Sequence, residues 1–135
     1  MTMTARDAAL SLTRALPNGA ATVTSTSLDT RNSTRGDLTA HTELEISAPA
    51  LTTGQLGNGA TITYSVIGST AADLSNPVTI AGSVLVQTGA GGTGAAAASK
   101  RVGLPTNCPR YIGFTATNSA AGNASAANAT AALVF

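Results

Sequence analysis

The sequence predicts an all-β fold, a sandwich or barrel of about seven or eight short strands. Two stretches alternate apolar and polar residues as half-buried strands do: residues 42–49 (TELEISAP) and residues 60–68 (ATITYSVIG). Turn-forming residues recur every 8–15 positions, a spacing typical of short strands. Beyond residue 20 no long stretch shows the 3.6-residue period of an amphipathic helix.

Composition and turn residues define the remaining strands. Residues 21–28 are rich in Thr and Val and contain few helix formers. Gly57-Asn58-Gly59 is a strong turn signal, and Gly82 marks a bend or bulge between two short strands within residues 77–89. The full set of predicted strands is 21–28, 42–49, 60–68, 77–89, 99–104, 110–118 and 129–135. The stretches expected to be flexible surface linkers are residues 29–38, 89–99 and 118–128.

The N-terminal segment has a different texture from the rest of the chain. We expect an N-terminal arm over residues 1–19 and a β-sandwich domain over residues 20–135. Residues 5–16 suit either a short helix, because Asp7 fits a first helical turn, or an extended arm that orders on a partner. Pro17-Asn18-Gly19 ends whichever of the two precedes it.

Charge and composition limit the choice of partners. Charged residues make up 10% of the chain, aromatic residues make up 3%, and the net charge is +1. This balance gives no electrostatic case for nucleic acid or for an anionic membrane, so neither is expected as a partner. Much of the apolar content is alanine, whose burial removes little area from water. A weakly driven core of this kind favours association of the chain with its own copies or with a larger surface.

The run Gly89-Ala90-Gly91-Gly92-Thr93-Gly94 matches the G-x-G-x-x-G pattern of dinucleotide-binding loops. That chemistry needs a following helix and an acidic residue about 20 positions later, whereas the last acidic residue of the chain is Asp73. The phosphate-loop pattern fails as well, because Ala95 stands where it requires lysine. Since the chain has 14 glycines, we interpret the match as chance.

Residues that carry chemistry are few. His41 is the only imidazole and Cys108 the only thiol, so one chain cannot build a zinc site of the usual kinds. Glu43 and Glu45 alternate along one predicted strand and are expected to be solvated charges rather than metal ligands. We therefore expect no enzymatic activity, no catalytic residues, no bound cofactor and no metal site.

Three further features carry a resemblance to a known family. The first is Ala72-Asp73-Leu74-Ser75-Asn76-Pro77, and the second extends from Leu104-Pro105 to Arg110-Tyr111 at the start of a predicted strand. The third is an alanine-rich final strand that ends in Leu133-Val134-Phe135. This order of features resembles the capsid cement (decoration) proteins of tailed bacteriophages, the family typified by the cement protein of a Bordetella phage.

The resemblance implies a jelly-roll-like β-sandwich that binds the outer face of an HK97-type capsid shell and bridges neighbouring capsomers after expansion. The implied partners are the major capsid protein and the chain itself, as a homodimer or, as second choice, a homotrimer. The implied location is the outer surface of the virion capsid. Arg6, Arg14, Arg31 and Arg35 are the candidates for salt links to acidic shell residues, because arginine is preferred in interfacial ion pairs. The alternative is another virion β protein, namely a tail-tube, head-fibre or receptor-binding module.

Overall fold

The computed structural model describes residues 6–30, 42–105 and 107–134, which form nine strands and no helix. The strands are β1 (Arg6–Ala15), β2 (Thr22–Thr24), β3 (Leu28–Asp29), β4 (Glu43–Ala48), β5 (Thr61–Ser69), β6 (Val78–Thr88), β7 (Ala98–Gly103), β8 (Tyr111–Asn118) and β9 (Asn128–Val134). No helix long and apolar enough to cross a membrane occurs in these residues. The predicted all-β class is confirmed.

The strands form two packed antiparallel sheets with the strand order of a jelly roll. The four-stranded sheet has the order β1-β9-β4-β7, and the five-stranded sheet has the order β2-β8-β5-β6, with β3 also pairing with β8. The pairs are nested along the chain: β1 with β9, β2 and β3 with β8, β4 with β7, and β5 with β6. The chain is thus one long hairpin rolled into a sandwich, which brings β4 beside β9 and β5 beside β8.

The segment expected to be an N-terminal arm contains β1, an edge strand of the four-stranded sheet. β1 is antiparallel to β9, with Ser11 opposite Ala132 and Ala15 opposite Asn128. Leu12 is buried in the core between the sheets, whereas Ser11 is exposed. The helix alternative is therefore wrong for the described residues of this segment, because successive side chains point to opposite faces as in a strand.

The core lies between the two sheets and is built from alternate residues of each strand. In β5 the buried side chains are Ile62, Tyr64 and Val66, and in β8 they include Ile112 and Phe114. Alanine occupies inner positions where neighbouring elements pack closely, namely Ala116, Ala124, Ala129 and Ala131. The core therefore combines large side chains from both sheets, with both buried aromatic rings in the five-stranded sheet, and several alanines.

A polar pair lies inside this core. The Tyr64 hydroxyl donates a hydrogen bond to Gln87 Oε1 at a distance of 2.8 Å. Gln87 Nε2 donates to the carbonyl oxygens of Pro49 at 2.7 Å and Ala96 at 3.0 Å. Because both amide hydrogens and the amide oxygen of Gln87 are used, this buried side chain is satisfied and joins β6 to the connections that precede β5 and β7.

The Tyr64 hydroxyl is expected to resist ionisation while the protein is folded. Burial raises the pKa of Tyr64 far above its usual value of about 10. The pKa of Tyr64 is higher in the folded than in the unfolded protein. The contribution of neutral Tyr64 to the free energy of unfolding is therefore fully present below about pH 10 and is lost as the pH rises further. In a Tyr111→Phe variant, which leaves Tyr64 as the only tyrosine, tyrosinate absorbance should appear together with the loss of β-sheet circular dichroism. Ionisation in alkali with an intact β-sheet signal would contradict this prediction.

Candidate interaction surface

The outer face of the five-stranded sheet carries an array of threonine side chains. Since Tyr64 points into the core, its neighbour Thr63 points outward. Thr63 lies between Thr117 of β8 and Val86 of β6, and Thr117 in turn lies beside Thr22 of β2. We call this surface the threonine face; its members are Thr22, Thr24, Thr61, Thr63, Ser65, Val86, Thr88, Thr115 and Thr117.

The threonine face presents hydroxyl and methyl groups without charge. Its members are exposed or half-buried, and the hydroxyls of Thr22 and Thr117 hydrogen-bond to each other at 2.8 Å. The strands that carry the face, β2, β5, β6 and β8, contain no charged residue. Because β-branched side chains are stiff at χ1, the face suits contact with a surface of matching shape better than recognition of a charged ligand.

An ion pair between Arg110 and Asp29 lies at the end of this sheet where β3 pairs with β8. Arg110 donates from Nε to Asp29 Oδ1 at 2.8 Å and from Nη2 to Asp29 Oδ2 at 2.9 Å, and its guanidinium lies 5.2 Å from the ring centroid of Tyr111. The hydrogen bond with Asp29 raises the pKa of Arg110 above its usual value. Thr30 donates its N–H (2.9 Å) and its hydroxyl (2.6 Å) to the Arg110 carbonyl oxygen. The pair thus fastens the short strand β3 to the start of β8.

The outer face of the four-stranded sheet carries charge, in contrast to the threonine face. Arg101 of β7 donates from Nε to Glu45 Oε2 of β4 at 2.8 Å, and this hydrogen bond raises the pKa of Arg101. Only 8% of the Glu45 side chain is exposed, so the expectation of a solvated charge is wrong for Glu45. Glu43 is half-buried on the same strand. The two outer faces of the sandwich therefore differ: one contains an ion pair and the other is neutral.

The structure describes two of the four arginines that we expected to contact a shell. Arg6 and Arg14 both belong to β1, near opposite ends of its pairing with β9, so the sheet does not bring them together. The Arg14 side chain is exposed. Arg31 and Arg35 lie outside the described residues. The role of all four in binding a partner stays a prediction.

The edges of the two sheets differ in length and charge. Arg14 of β1 lies opposite Ala129 and Lys100 of β7 lies opposite Ile46, and both charged side chains are exposed. Charged side chains on an edge strand discourage that edge from pairing with another chain. At the β2 and β3 edge the strands have 3 and 2 residues. The β6 edge has 11 residues without charge, and its Val78 and Val86 are 55% and 47% exposed.

The glycine run of residues 89–94 forms a turn docked on residues 51–60. Leu51 and Ala95 exchange backbone hydrogen bonds of 2.8 and 2.9 Å at one end of the run. At the other end, the Gly89 N–H donates to the Ala60 carbonyl oxygen at 2.8 Å. The stretch predicted to be a surface linker is therefore a turn that backbone hydrogen bonds hold against residues 51–60.

The same turn explains the resemblance to a nucleotide-binding loop. Backbone N–H groups are what such a loop offers to phosphate, and those of the run donate to acceptors inside the protein. The donors concerned are Gly89, Ala90, Gly91, Thr93 and Gly94. At Gly89 and Gly94 an added Cβ would overlap backbone carbonyl oxygens of residues 51–57. The glycines therefore allow two backbones to approach closely, a need that the sequence pattern alone does not reveal.

Groups suited to catalysis or metal binding are not gathered in the described residues. These contain no cluster of three or more His, Cys, Asp or Glu side chains that could hold a metal ion. Cys108 is buried, and His41 lies outside the described residues. An open depression of about 370 Å³ is lined by Ser47, Ala48, Ala97, Ala98 and Ser99. Those side chains supply no acid or base to a substrate.

Comparison with known proteins adds no family assignment. No family model matches the chain, and no curated protein is significantly similar to it in sequence. A function must therefore be argued from the threonine face, the sheet edges and the jelly-roll scaffold that positions them.

Proposed function

We propose that this protein is a structural virion protein that binds the outer surface of an HK97-type capsid shell, cements neighbouring capsomers and stabilises the expanded head. Its partners in this proposal are the major capsid protein and further copies of the chain itself. The observation that carries the proposal is the neutral threonine face on a rigid two-sheet scaffold. The jelly-roll strand order is also the fold that the sequence resemblance implies.

A face of small β-branched side chains is well suited to binding a large, regular protein surface. Immobilising a threonine loses less rotamer entropy than immobilising a lysine or a glutamine. Its methyl group contributes apolar area, and its hydroxyl can hydrogen-bond with the partner or with interfacial water. Because the strands are fixed by pairing on both sides of β5 and β8, the face is organised before it meets its partner.

The stabilising effect follows from thermodynamic linkage. A protein that binds the expanded lattice and not its precursor shifts the equilibrium towards the expanded state by mass action. No catalytic group is needed for this effect. The exposed Arg14 on the β1 edge is the described candidate for a salt link to an acidic residue of the shell in this proposal.

Cosedimentation of the purified protein with expanded shells that lack it tests the proposal. Thr117→Lys places a charge in the middle of the threonine face, and a buried unpaired charge opposes binding. We expect this variant to bind at least about tenfold more weakly than the natural chain, which corresponds to about 1.4 kcal/mol.

Thr130→Lys is the matched control for this experiment. Thr130 is also an exposed threonine in a strand, but it lies on the outer face of the four-stranded sheet, opposite Thr13 and Ser47. The Thr130→Lys variant should bind the shells as tightly as the natural chain does. Failure of the natural chain to bind expanded shells would contradict the capsid function, whereas equal binding by Thr117→Lys would contradict the assignment of the face.

A further inference from the structure

The second half of β6 turns backbone hydrogen-bonding groups away from the sheet. The Thr61 N–H donates to Ser119 Oγ at 2.9 Å, and the Thr61 carbonyl oxygen accepts from the Ser119 N–H at 2.9 Å. Both backbone groups of Thr61 therefore point towards β8. In an antiparallel ladder, the direction of the backbone N–H and C=O groups alternates from residue to residue. The backbone groups of Tyr64 therefore point towards β6, and those of its partner Leu85 point towards β5. The residues of β6 whose N–H and C=O groups then point to the open edge are Val84, Val86 and Thr88.

This open edge is the least protected among the described strands. Among the described strands, β6 is hydrogen-bonded only to β5, although β7 of the other sheet also lies close to it, and residues 84–88 (VLVQT) carry no charge. Val86 is 47% exposed. A regular, neutral and apolar edge pairs readily with another chain unless it is covered. The irregular register between the pairs Tyr64–Leu85 and Val66–Ala81 ends the regular part of the edge before residue 84.

The occupant that fits this edge is a second copy of the same edge. β1 carries Arg6, Asp7 and Arg14 and β7 carries Lys100 and Arg101, and charged side chains oppose strand addition at an edge, whereas β6 carries no charge. In an antiparallel pair, only a residue whose backbone groups point outward can occupy a hydrogen-bonded position at the centre. Val86 is the middle one of the three such residues. We therefore infer that two copies pair antiparallel along residues 84–88 about a two-fold axis at Val86, with Val84 opposite Thr88 of the second copy.

The inferred pairing would extend the threonine face across both copies. Val86 ends the row that runs from Thr22 through Thr117 and Thr63. Pairing at Val86 continues that row into the second copy and joins two five-stranded sheets into one. The inference specifies how the chain associates with its own copies, which is one part of the proposed function, and it does not rest on binding to a capsid shell. A monomeric chain would contradict the self-association, whereas failure to bind expanded shells would contradict only the capsid function.

Cross-linking of Val86→Cys tests the pairing, in a Cys108→Ala background that removes the natural thiol. The two Cα atoms of a hydrogen-bonded antiparallel pair lie about 5.5 Å apart, within the range that a disulfide spans. Under mild oxidation we expect most of the Val86→Cys chains to become covalent dimers. Val78→Cys is the matched control, since Val78 is at least as exposed, at 55%, and lies on the same strand beyond the irregularity. The inference is overturned if Val86→Cys stays monomeric or if Val78→Cys cross-links equally well.

Sedimentation of uncross-linked variants provides the second readout. The natural chain should form a dimer whose fraction rises with concentration, and Val86→Lys should weaken its association at least about tenfold, because a charge on an edge blocks strand addition. Val78→Lys should associate as the natural chain does. Since both positions are exposed, the variants should keep the circular dichroism spectrum of the natural chain. A natural chain that stays monomeric, or a dimer that Val86→Lys leaves intact, would overturn the inference.

Discussion

Replacing Gly94 with alanine is expected to lower the free energy of unfolding by about 3 kcal/mol or more. Gly94 has a φ of 69°, a conformation that costs other residues about 1 kcal/mol or more. A Cβ at this position would also overlap the carbonyl oxygen of Leu51. Leu51 cannot retreat without breaking its backbone hydrogen bonds with Ala95. Urea denaturation followed by far-ultraviolet circular dichroism measures the loss.

Gly92→Ala separates the two contributions to this loss. Gly92 has a φ of 84°, yet an added Cβ would meet no atom within 4 Å. This variant should therefore lose only the conformational part, about 1 kcal/mol. If Gly94→Ala proved as stable as Gly92→Ala, the docking of the glycine turn on residues 51–60 would be refuted.

Gln87→Leu is expected to lower the free energy of unfolding by about 3 kcal/mol. The change keeps a side chain of similar size but removes one acceptor and two donors from a position that is 3% exposed. The groups left without their Gln87 partner are the Tyr64 hydroxyl and the carbonyl oxygens of Pro49 and Ala96. Leaving a buried polar group unsatisfied costs about 1–3 kcal/mol. Denaturant titration measures the effect.

A double variant tests whether the loss comes from unsatisfied groups rather than from packing. Adding Tyr64→Phe to Gln87→Leu removes the stranded hydroxyl, so the second change should cost much less in this background than in the natural chain. The two single variants and the double variant together form a double-mutant cycle. Additive losses within about 0.5 kcal/mol would show that the hydrogen bond between Tyr64 and Gln87 contributes little.

The strands with one buried and one exposed face were predictable from local pattern. The predicted strands 42–49 and 60–68 correspond closely to Glu43–Ala48 and Thr61–Ser69, because alternation records the two faces directly. Gly82 predicted a bend, and the ladder is irregular there, with Ser83 at a φ of 50°. Local sequence was sufficient wherever burial alone determined the structure.

Non-local contacts explain where the sequence was insufficient. The predicted strand 21–28 is divided into β2 and β3 because Ser25 Oγ accepts a hydrogen bond from the Phe114 N–H at 2.9 Å, a contact between residues far apart in the chain. The segment 5–16 was ambiguous because Leu12 and Leu16 are four residues apart, a spacing that also suits a helix. Its partner strand β9 lies at the other end of the chain and determines that it is extended.

The threonine face has a signal in the sequence, because its threonines occur in pairs two residues apart. Thr22 and Thr24, Thr61 and Thr63, and Thr115 and Thr117 are each two residues apart in strand-like segments. Such spacing places both side chains of each pair on one face of a strand. Only the sheet topology shows that the three pairs meet on the same outer face, because strand order is not encoded in spacing.

The number of copies of this chain in density-purified particles, relative to the major capsid subunit, tests the proposed function most directly. Quantitative mass spectrometry of particles after dissociation would provide that ratio. The capsid proposal predicts a copy number of the same order as that of the major capsid subunit, as a protein spread over the whole shell requires. A few copies per particle would instead indicate the tail or a single vertex. That result, or the absence of the chain from the particles, would contradict the proposal.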